Sequence, residues 1–311
     1  MMGWSVIAQT LVRRERWPGG QLISVTPLVA PGQDVLPDQP VMLLERGVSA
    51  QPADKNALQG SEVVPAGLRG RVIEITPRGG VVIEGRASAV RGALGAGNQV
   101  AGILTMWQPA TAQGATVAIP PGAILVVPVP INLAFLRQAM VSGVVGVVAS
   151  SMPLPDLEGF LNADVIELLH SINVEAVQTR LPPLTLLLTE GPGMFAMPAA
   201  TAALLARCQG TIALLSGVTS VRQHIMPELL ISLPPGDTPD GWHPVLPEPT
   251  ISLGVQVRVC SGEHEGATGT VVYLFTHDQV FLSGIRVPAV CLRLENGSLL
   301  VVPLALIERI I

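Results

Sequence analysis

Four short apolar runs decide how this chain is read: Ala123-Ile-Leu-Val-Val127, Val144-Val-Gly-Val-Val-Ala149, Leu184-Thr-Leu-Leu-Leu-Thr189 and Thr211-Ile-Ala-Leu-Leu-Ser216. Each is too short for a helix and carries no charge, as expected of a strand buried on both faces. Helices are predicted between them. Asn132 reads as the N-cap of one that Gly143 ends, and Asn162 as the cap of another over residues 163–171, with Val165, Ile166, Leu168 and Leu169 apolar. A third spans residues 198–208, with Pro198 in its first turn and Gly210 just past its end. Strands alternating with helices predict a central α/β domain over residues 119–233, built on a largely parallel sheet covered on both faces.

Upstream, residues 1–110 read as a β-rich domain. Gly70-Arg-Val-Ile-Glu-Ile-Thr76 and Val81-Val-Ile-Glu-Gly85 flank Gly79-Gly80, a hairpin signal. A Gly-x-x-Val step at Gly32 and Val35 recurs at Gly60 and Val63. This twice-used pattern resembles the half-motifs of barrel-sandwich hybrid domains, the architecture of lipoyl and biotinyl carriers, over about residues 20–90. In carriers the modified lysine stands between the halves. Here the single lysine, Lys55, lies in that interval, but its neighbours Asp54 and Asn56 do not match a carrier motif. It reads as a solvated loop residue, and no cofactor is expected.

Downstream, residues 234–250 hold six prolines in 17 positions and read as a linker. Then comes Gly254-Val-Gln-Val257-Arg-Val259-Cys-Ser-Gly262-Glu-His-Glu-Gly266-Ala-Thr-Gly269-Thr-Val271: a strand, a glycine turn at Gly262, Gly266 and Gly269, and a second strand. The glycines answer a need for positive φ or close backbone approach. The run closely resembles the KOW motif of ribosomal proteins and transcription elongation factors, which begins a small SH3-like barrel. The rest of residues 251–311 fits: Val290, Leu292 and Leu294 alternate, Asn296-Gly297 turns, and Leu299 to Val302 returns. Ribosomal versions place basic residues beside the glycines to meet RNA phosphates. This chain has Glu263, His264 and Glu265 there, and carboxylates repel a phosphate backbone. The expected class is thus α+β multidomain: barrel-sandwich-like, α/β and SH3-like parts in that order. That order resembles a bacterial multidomain family with a terminal KOW domain.

Composition narrows the function. Charged residues are 13% and hydrophobic ones 49% of the 311, which excludes disorder. Residues 1–110 carry 10 basic and 8 acidic side chains, residues 111–250 carry 4 and 10, and residues 251–311 carry 4 and 5. None is a basic platform, so generic nucleic-acid binding is disfavoured. The charge-free stretches either side of Arg137 are broken by proline, glycine and serine, against a membrane span. Cys208, Cys260 and Cys291 lack metal or redox spacing, and the first ten residues lack a signal-peptide pattern, so a cytoplasmic location is expected.

Known catalytic motifs are absent, and the histidines have no metal-ligand spacing, so no metal is expected. One constellation merits testing. Ligands of parallel sheets bind at the carboxyl ends of strands, where this chain carries Ser150, Ser151, Thr189, Glu190, Gly191, Gly193 and Ser216. In such a pocket Glu190 would be the acid/base or amine-binding group. The leading expectation is a non-catalytic binding or assembly protein with a protein partner, marked by an exposed apolar patch. An enzyme or enzyme subunit would show Thr189 and Glu190 in a pocket. A ribosome- or transcription-associated KOW factor would expose Arg13, Arg14 and Arg16 along a basic groove. Oligomeric state is left open by the sequence.

Overall fold

In this computed structural model, residues 6–19, 24–45, 61–108, 120–170, 177–178, 180–221, 223, 225–233, 251–260 and 262–309 are described. Lys55, Gly60 and the proline-rich segment 234–250 lie outside them. The chain is a strand-rich α+β protein that divides into two compact units. One is Gln9–Pro244, and the other joins Met1–Ala8 to Val245–Ile311.

In the larger unit, which takes β1 from Gln9 onward, the strands are β1 (Val6–Arg16), β2 (Ser24–Pro27), β3 (Asp34–Val35), β4 (Pro40–Glu45), β5 (Ser61–Pro65), β6 (Gly70–Ile75), β7 (Val81–Arg91), β8 (Leu94–Ala96) and β9 (Gln99–Met106). They are followed by β10 (Ala123–Val127), β11 (Gly146–Met152), β12 (Thr185–Pro192), β13 (Ile212–Ser216) and β14 (Glu228–Ser232). The helices are α1 (Leu133–Val141), α2 (Leu154–Leu161), α3 (Val165–His170) and α4 (Ala199–Arg207).

The first part interlocks. β2, β4 and β5 form a small antiparallel sheet. The Gly32 N–H donates to the Val72 carbonyl at 2.7 Å, and the Gly67 N–H donates back to the Pro37 carbonyl at 2.8 Å. The hairpin expected at Gly79-Gly80 joins β6 to β7, with Gly79 at φ 86°.

The central part departs from expectation in topology. β9, β10, β11 and β12 run parallel in that order. The fourth apolar run, β13, instead lies antiparallel to β9, and β14 lies antiparallel to β13. The sheet therefore continues β12–β11–β10–β9–β13–β14–β7. It also closes. β7 pairs β14, and only Gly92 and Ala93 separate β7 from β8, which pairs β12. At that junction the Gly92 N–H donates to the Pro227 carbonyl and the Ala93 N–H to the Leu188 carbonyl, both at 2.9 Å. β8 at one end of the sheet and β7 further inside it are thus one continuous segment of chain, which curls the sheet round on itself.

The expected parts 1–110 and 119–233 share this one sheet, because β9 of the first and β10 of the second are parallel neighbours in it. Helices α1, α2 and α3 cover one face of β10–β11–β12–β8, packing Leu136, Leu157, Phe160 and Leu168 on Leu125, Val147, Ala149, Leu186 and Leu188. The other face turns inward: a Cβ added to Gly146 of β11 would meet Leu215 of β13 at 2.6 Å. Burial on both faces is as expected, but the second cover is the opposite wall of the sheet.

Two of the expected caps hold. Asn132 Oδ1 accepts from the Phe135 N–H at 2.9 Å, and Gly143 takes φ 75° after α1. Asn162 does not cap α3. It ends α2 in the left-handed region at φ 51°, which asparagine tolerates, and Asp164 Oδ1 caps α3 by accepting from Ile166 and Glu167.

In the smaller unit β15 (Gln256–Val259), β16 (Thr268–Leu274), β17 (Gln279–Val280), β18 (Arg286–Val287), β19 (Ala289–Leu294), β20 (Leu299–Pro303) and β21 (Ile307–Arg309) form an antiparallel sheet of order β20–β19–β16–β15–β21 and a separate β17–β18 hairpin. A 3-10 turn at Leu304–Leu306 carries the chain from one edge back to β15. Val257, Val259, Val271, Val290, Leu292, Val302 and Ile307 form its core.

Candidate functional site

The carboxyl ends of β11 and β12 lie side by side, with Ser151 opposite Gly191 and Met152 opposite Pro192. Between Ala149/Leu188 and Ser151/Gly191 the β12 side has one residue more, so Thr189 and Glu190 sit in a bulge. Six of the seven strand-end residues named from the sequence therefore gather at one place: Ser150, Ser151, Thr189, Glu190, Gly191 and Gly193.

Their bonding is specific. Ser151 Oγ donates to the Phe195 carbonyl at 2.9 Å and accepts from the Phe195 N–H at 2.8 Å, fastening the loop after β12 onto the end of β11. Gly191 and Gly193 turn that loop at φ 79° and 141°. Thr189 is buried, and its Oγ1 lies 3.5 Å from the Ser150 carbonyl. Glu190 is half-buried. Ser150 alternates with Gly146 and Val148, which places it on the inward face. It is fully buried, and its Oγ has no hydrogen-bond partner among the described residues. A serine nucleophile needs a base within hydrogen-bond reach, and among the described residues no base bonds this hydroxyl.

Ser216 does not join the cluster. It pairs with Gln99 at the start of β9 and with Glu228. Because β13 runs against β9, its carboxyl end lies at the opposite end of the sheet from those of β11 and β12. Ser216 would join them only if β13 ran parallel to β9.

The arginines of β1 are engaged. Arg14 bonds Glu228, with Nη2 3.0 Å from Oε2. Arg16 is buried and donates from Nε to the Pro65 carbonyl at 3.0 Å and from Nη1 to the Gln99 carbonyl at 3.3 Å. Burial pulls its guanidinium down to about 10. Arg13 lies 3.8 Å from Glu74. Two of the three thus pin β1 to β14, β5 and β9 instead of lining a groove. The sequence around Arg16 marks its burial only faintly. The one hint is its place in an alternation, Leu11, Arg13, Glu15 against Val12, Arg14, Arg16, in which Val12 is also buried.

In the smaller unit the glycine turn takes the geometry its sequence demands. Gly262 and Gly266 adopt φ 98° and 81°, and a Cβ on Gly269 would lie 2.8 Å from the Arg293 carbonyl oxygen. The Gly266 N–H donates to the Val259 carbonyl at 2.8 Å, closing the turn. Glu263, His264 and Glu265 are all exposed on it.

Among the described residues no three His, Cys, Asp or Glu side chains gather as a metal site, and no helix is long and apolar enough to cross a membrane. Compared with protein-family models, curated proteins and solved structures, the chain matches none.

Proposed function

We propose that this protein is a non-catalytic binding or assembly protein of the cytoplasm whose C-terminal unit is an SH3-like barrel of KOW type that contacts another protein. The observation that carries this reading is the β17–β18 hairpin. Leu282 at its tip is fully exposed, Val280 is 63% exposed and Ile285 57%. The hairpin is closed by the Phe281 N–H on the Ile285 carbonyl at 3.0 Å and the Gly284 N–H on the Phe281 carbonyl at 2.8 Å, so these side chains are presented on an ordered scaffold. Burying three such side chains yields about 5–9 kcal/mol gross. Association costs on the order of 4–15 kcal/mol, so the hairpin serves as the anchor of a larger contact.

Other features support the same reading. Two exposed carboxylates on the glycine turn disfavour phosphate, and the β1 arginines are bonded within the fold. The meander with its 3-10 turn supports the SH3-like assignment, and the reciprocal bonds of Gly32 and Gly67 support a barrel-sandwich-like first part. Three free cysteines suit a reducing compartment.

The test is site-specific photo-crosslinking of the full chain in its native cells, with the reactive residue at Leu282 and, as control, at the exposed Val141. A discrete protein adduct at position 282, absent at 141 and abolished by Ile285→Ser, is expected. A nuclease-sensitive adduct, or the same adducts at both positions, would refute the reading.

A further inference from the structure

The C-terminal sheet ends in an edge strand of unusual chemistry. β20 pairs with β19 on one side and, among the described residues, with nothing on the other. Its sequence, Leu299-Leu-Val-Val-Pro303, contains no charge. Proteins normally blunt such edges with lysine, proline, a bulge or a cover, because an open apolar edge is a template for another strand, and of these β20 has only the proline at its end, Pro303.

The ladder dictates which backbone groups the edge offers. The Leu294 N–H donates to the Ser298 carbonyl and the Leu304 N–H to the Pro288 carbonyl, in line with the register Ala289↔Pro303 to Arg293↔Leu299. Bonded and non-bonded pairs alternate in an antiparallel ladder. Val290/Val302 and Leu292/Leu300 are therefore the bonded pairs, and Leu299, Val301 and Pro303 turn their backbone groups outward. Proline has no N–H. The edge thus presents donors at Leu299 and Val301 and acceptors at Leu299, Val301 and Pro303. Leu299 and Val301 are also its exposed side chains, at 65% and 42%.

We propose that this edge pairs with β20 of a second copy of the chain, antiparallel about a two-fold axis at Val301. In that register each Val301 N–H meets the partner copy's Val301 carbonyl. Each Leu299 N–H meets the carbonyl of the other copy's Pro303. Every outward donor is used, and the position without a donor faces the one whose donor is already directed at it. No charge on either strand is brought against its like, and the paired side chains at the axis are both valine. β20 itself supplies acceptors opposite both donors and brings no charge to the pairing. The β17–β18 hairpin plays no part in this pairing, so the two proposals stand or fall separately.

Analytical ultracentrifugation of the full chain across about 1–100 µM, a range that brackets micromolar self-association, tests the pairing. A concentration-dependent dimer is expected. Val301→Lys and Val301→Glu should each weaken it at least about tenfold by setting like charges across the axis, and mixing the two should restore a dimer. Leu299→Lys, at a more exposed position, should weaken it as well and guards against a fold defect peculiar to position 301. A monomer throughout the range, which would leave the edge to another segment or another protein, overturns the proposal. So does a dimer that ignores all three substitutions, or one that mixing fails to restore.

Discussion

Replacing Gly95 by alanine probes the closure of the sheet directly. Gly95 stands opposite Leu187 in the pairing of β8 with β12, and its N–H donates to Thr219 Oγ1 at 2.9 Å. A Cβ at this position would lie 2.5 Å from Pro227 Cβ, 2.7 Å from the Gly217 carbonyl oxygen and 2.9 Å from the Leu186 carbonyl oxygen. None of these is the free end of a pliant side chain. The collision is relieved only by lifting β8 from β12 or by displacing the chain that leads into β14. Overpacking costs about 1–3 kcal/mol in ordinary cores, and with rigid neighbours on three sides we expect about 3 kcal/mol. For a unit of this size that is a fall of about 6–12 °C in melting temperature. Gly210→Ala is the control. Gly210 has φ 83° and nothing within 4 Å of an added Cβ. Its substitution carries only the left-handed backbone penalty, about 1–2 kcal/mol. The assay is thermal and guanidinium unfolding followed by circular dichroism, with hydrogen exchange at the Ala93 amide, which bonds Leu188 across the closure. If Gly95→Ala costs no more than Gly210→Ala and the Ala93 amide stays protected, β8 is not wedged as described and the closure argument fails.

Two further outcomes follow from individual groups. Ser150→Ala removes a buried hydroxyl that has no described partner and should leave stability unchanged or raise it by up to about 1 kcal/mol, whereas Ser151→Ala removes both bonds to Phe195 and should cost about 1–3 kcal/mol. Denaturant midpoints of the two variants should therefore move apart, and equal losses would show that Ser150 has a partner. Glu15 accepts from Arg78 Nε at 2.8 Å and Thr76 Oγ1 at 2.7 Å, and Arg78 holds its carboxyl below the ordinary 4.5. A carboxyl depressed in the folded state lends stability that is present above its unfolded value and lost as pH falls through its folded one. The denaturant midpoint should drop below pH 4.5 more steeply in the wild type than in Glu15→Gln, and parallel curves would count against this pairing.

Much of the local structure was legible because it rests on residues with one physical use. Asn132 caps a helix because its amide oxygen can take an otherwise orphaned N–H. Gly143 and Gly210 follow helices because the left-handed region there excludes most side chains. The glycine turn of the C-terminal unit could be read for the same reason, with Gly269 answering to close approach and Gly262 and Gly266 to positive φ. Asn162 shows where such reasoning divides. Asparagine suits both an N-cap and a left-handed C-terminus, and Asp164 two residues later took the cap. Arg16 was illegible for a different reason. A guanidinium far from its sequence neighbours is satisfied by two carbonyls, at Pro65 and Gln99, that no local pattern announces.

The closed sheet was hidden by the same burial that made its strands easy to find. A strand wholly inside an open doubly wound sheet and a strand in the wall of a closed one both lose two faces to solvent, so both are written as uninterrupted Val, Leu, Ile and Ala. Apolar content therefore reports burial and is silent on direction. What distinguishes the two arrangements is where space is too small for a side chain. Gly146 is kept bare by Leu215 across the interior, Gly92 by Leu187 at the junction, and Gly95 by Pro227 and Gly217. Gly146 and Gly95 stand in strands and Gly92 in the link between two, none of them takes a positive φ, and in sequence they look like weak points. Read as close approaches, they mark one wall of the sheet coming against another. The error over Ser216 has the same origin. Once β13 is turned to run against β9, its end moves to the far side of the sheet, and the strand-end cluster shrinks to the pair β11 and β12, where Ser151 fastens a loop and Ser150 faces inward.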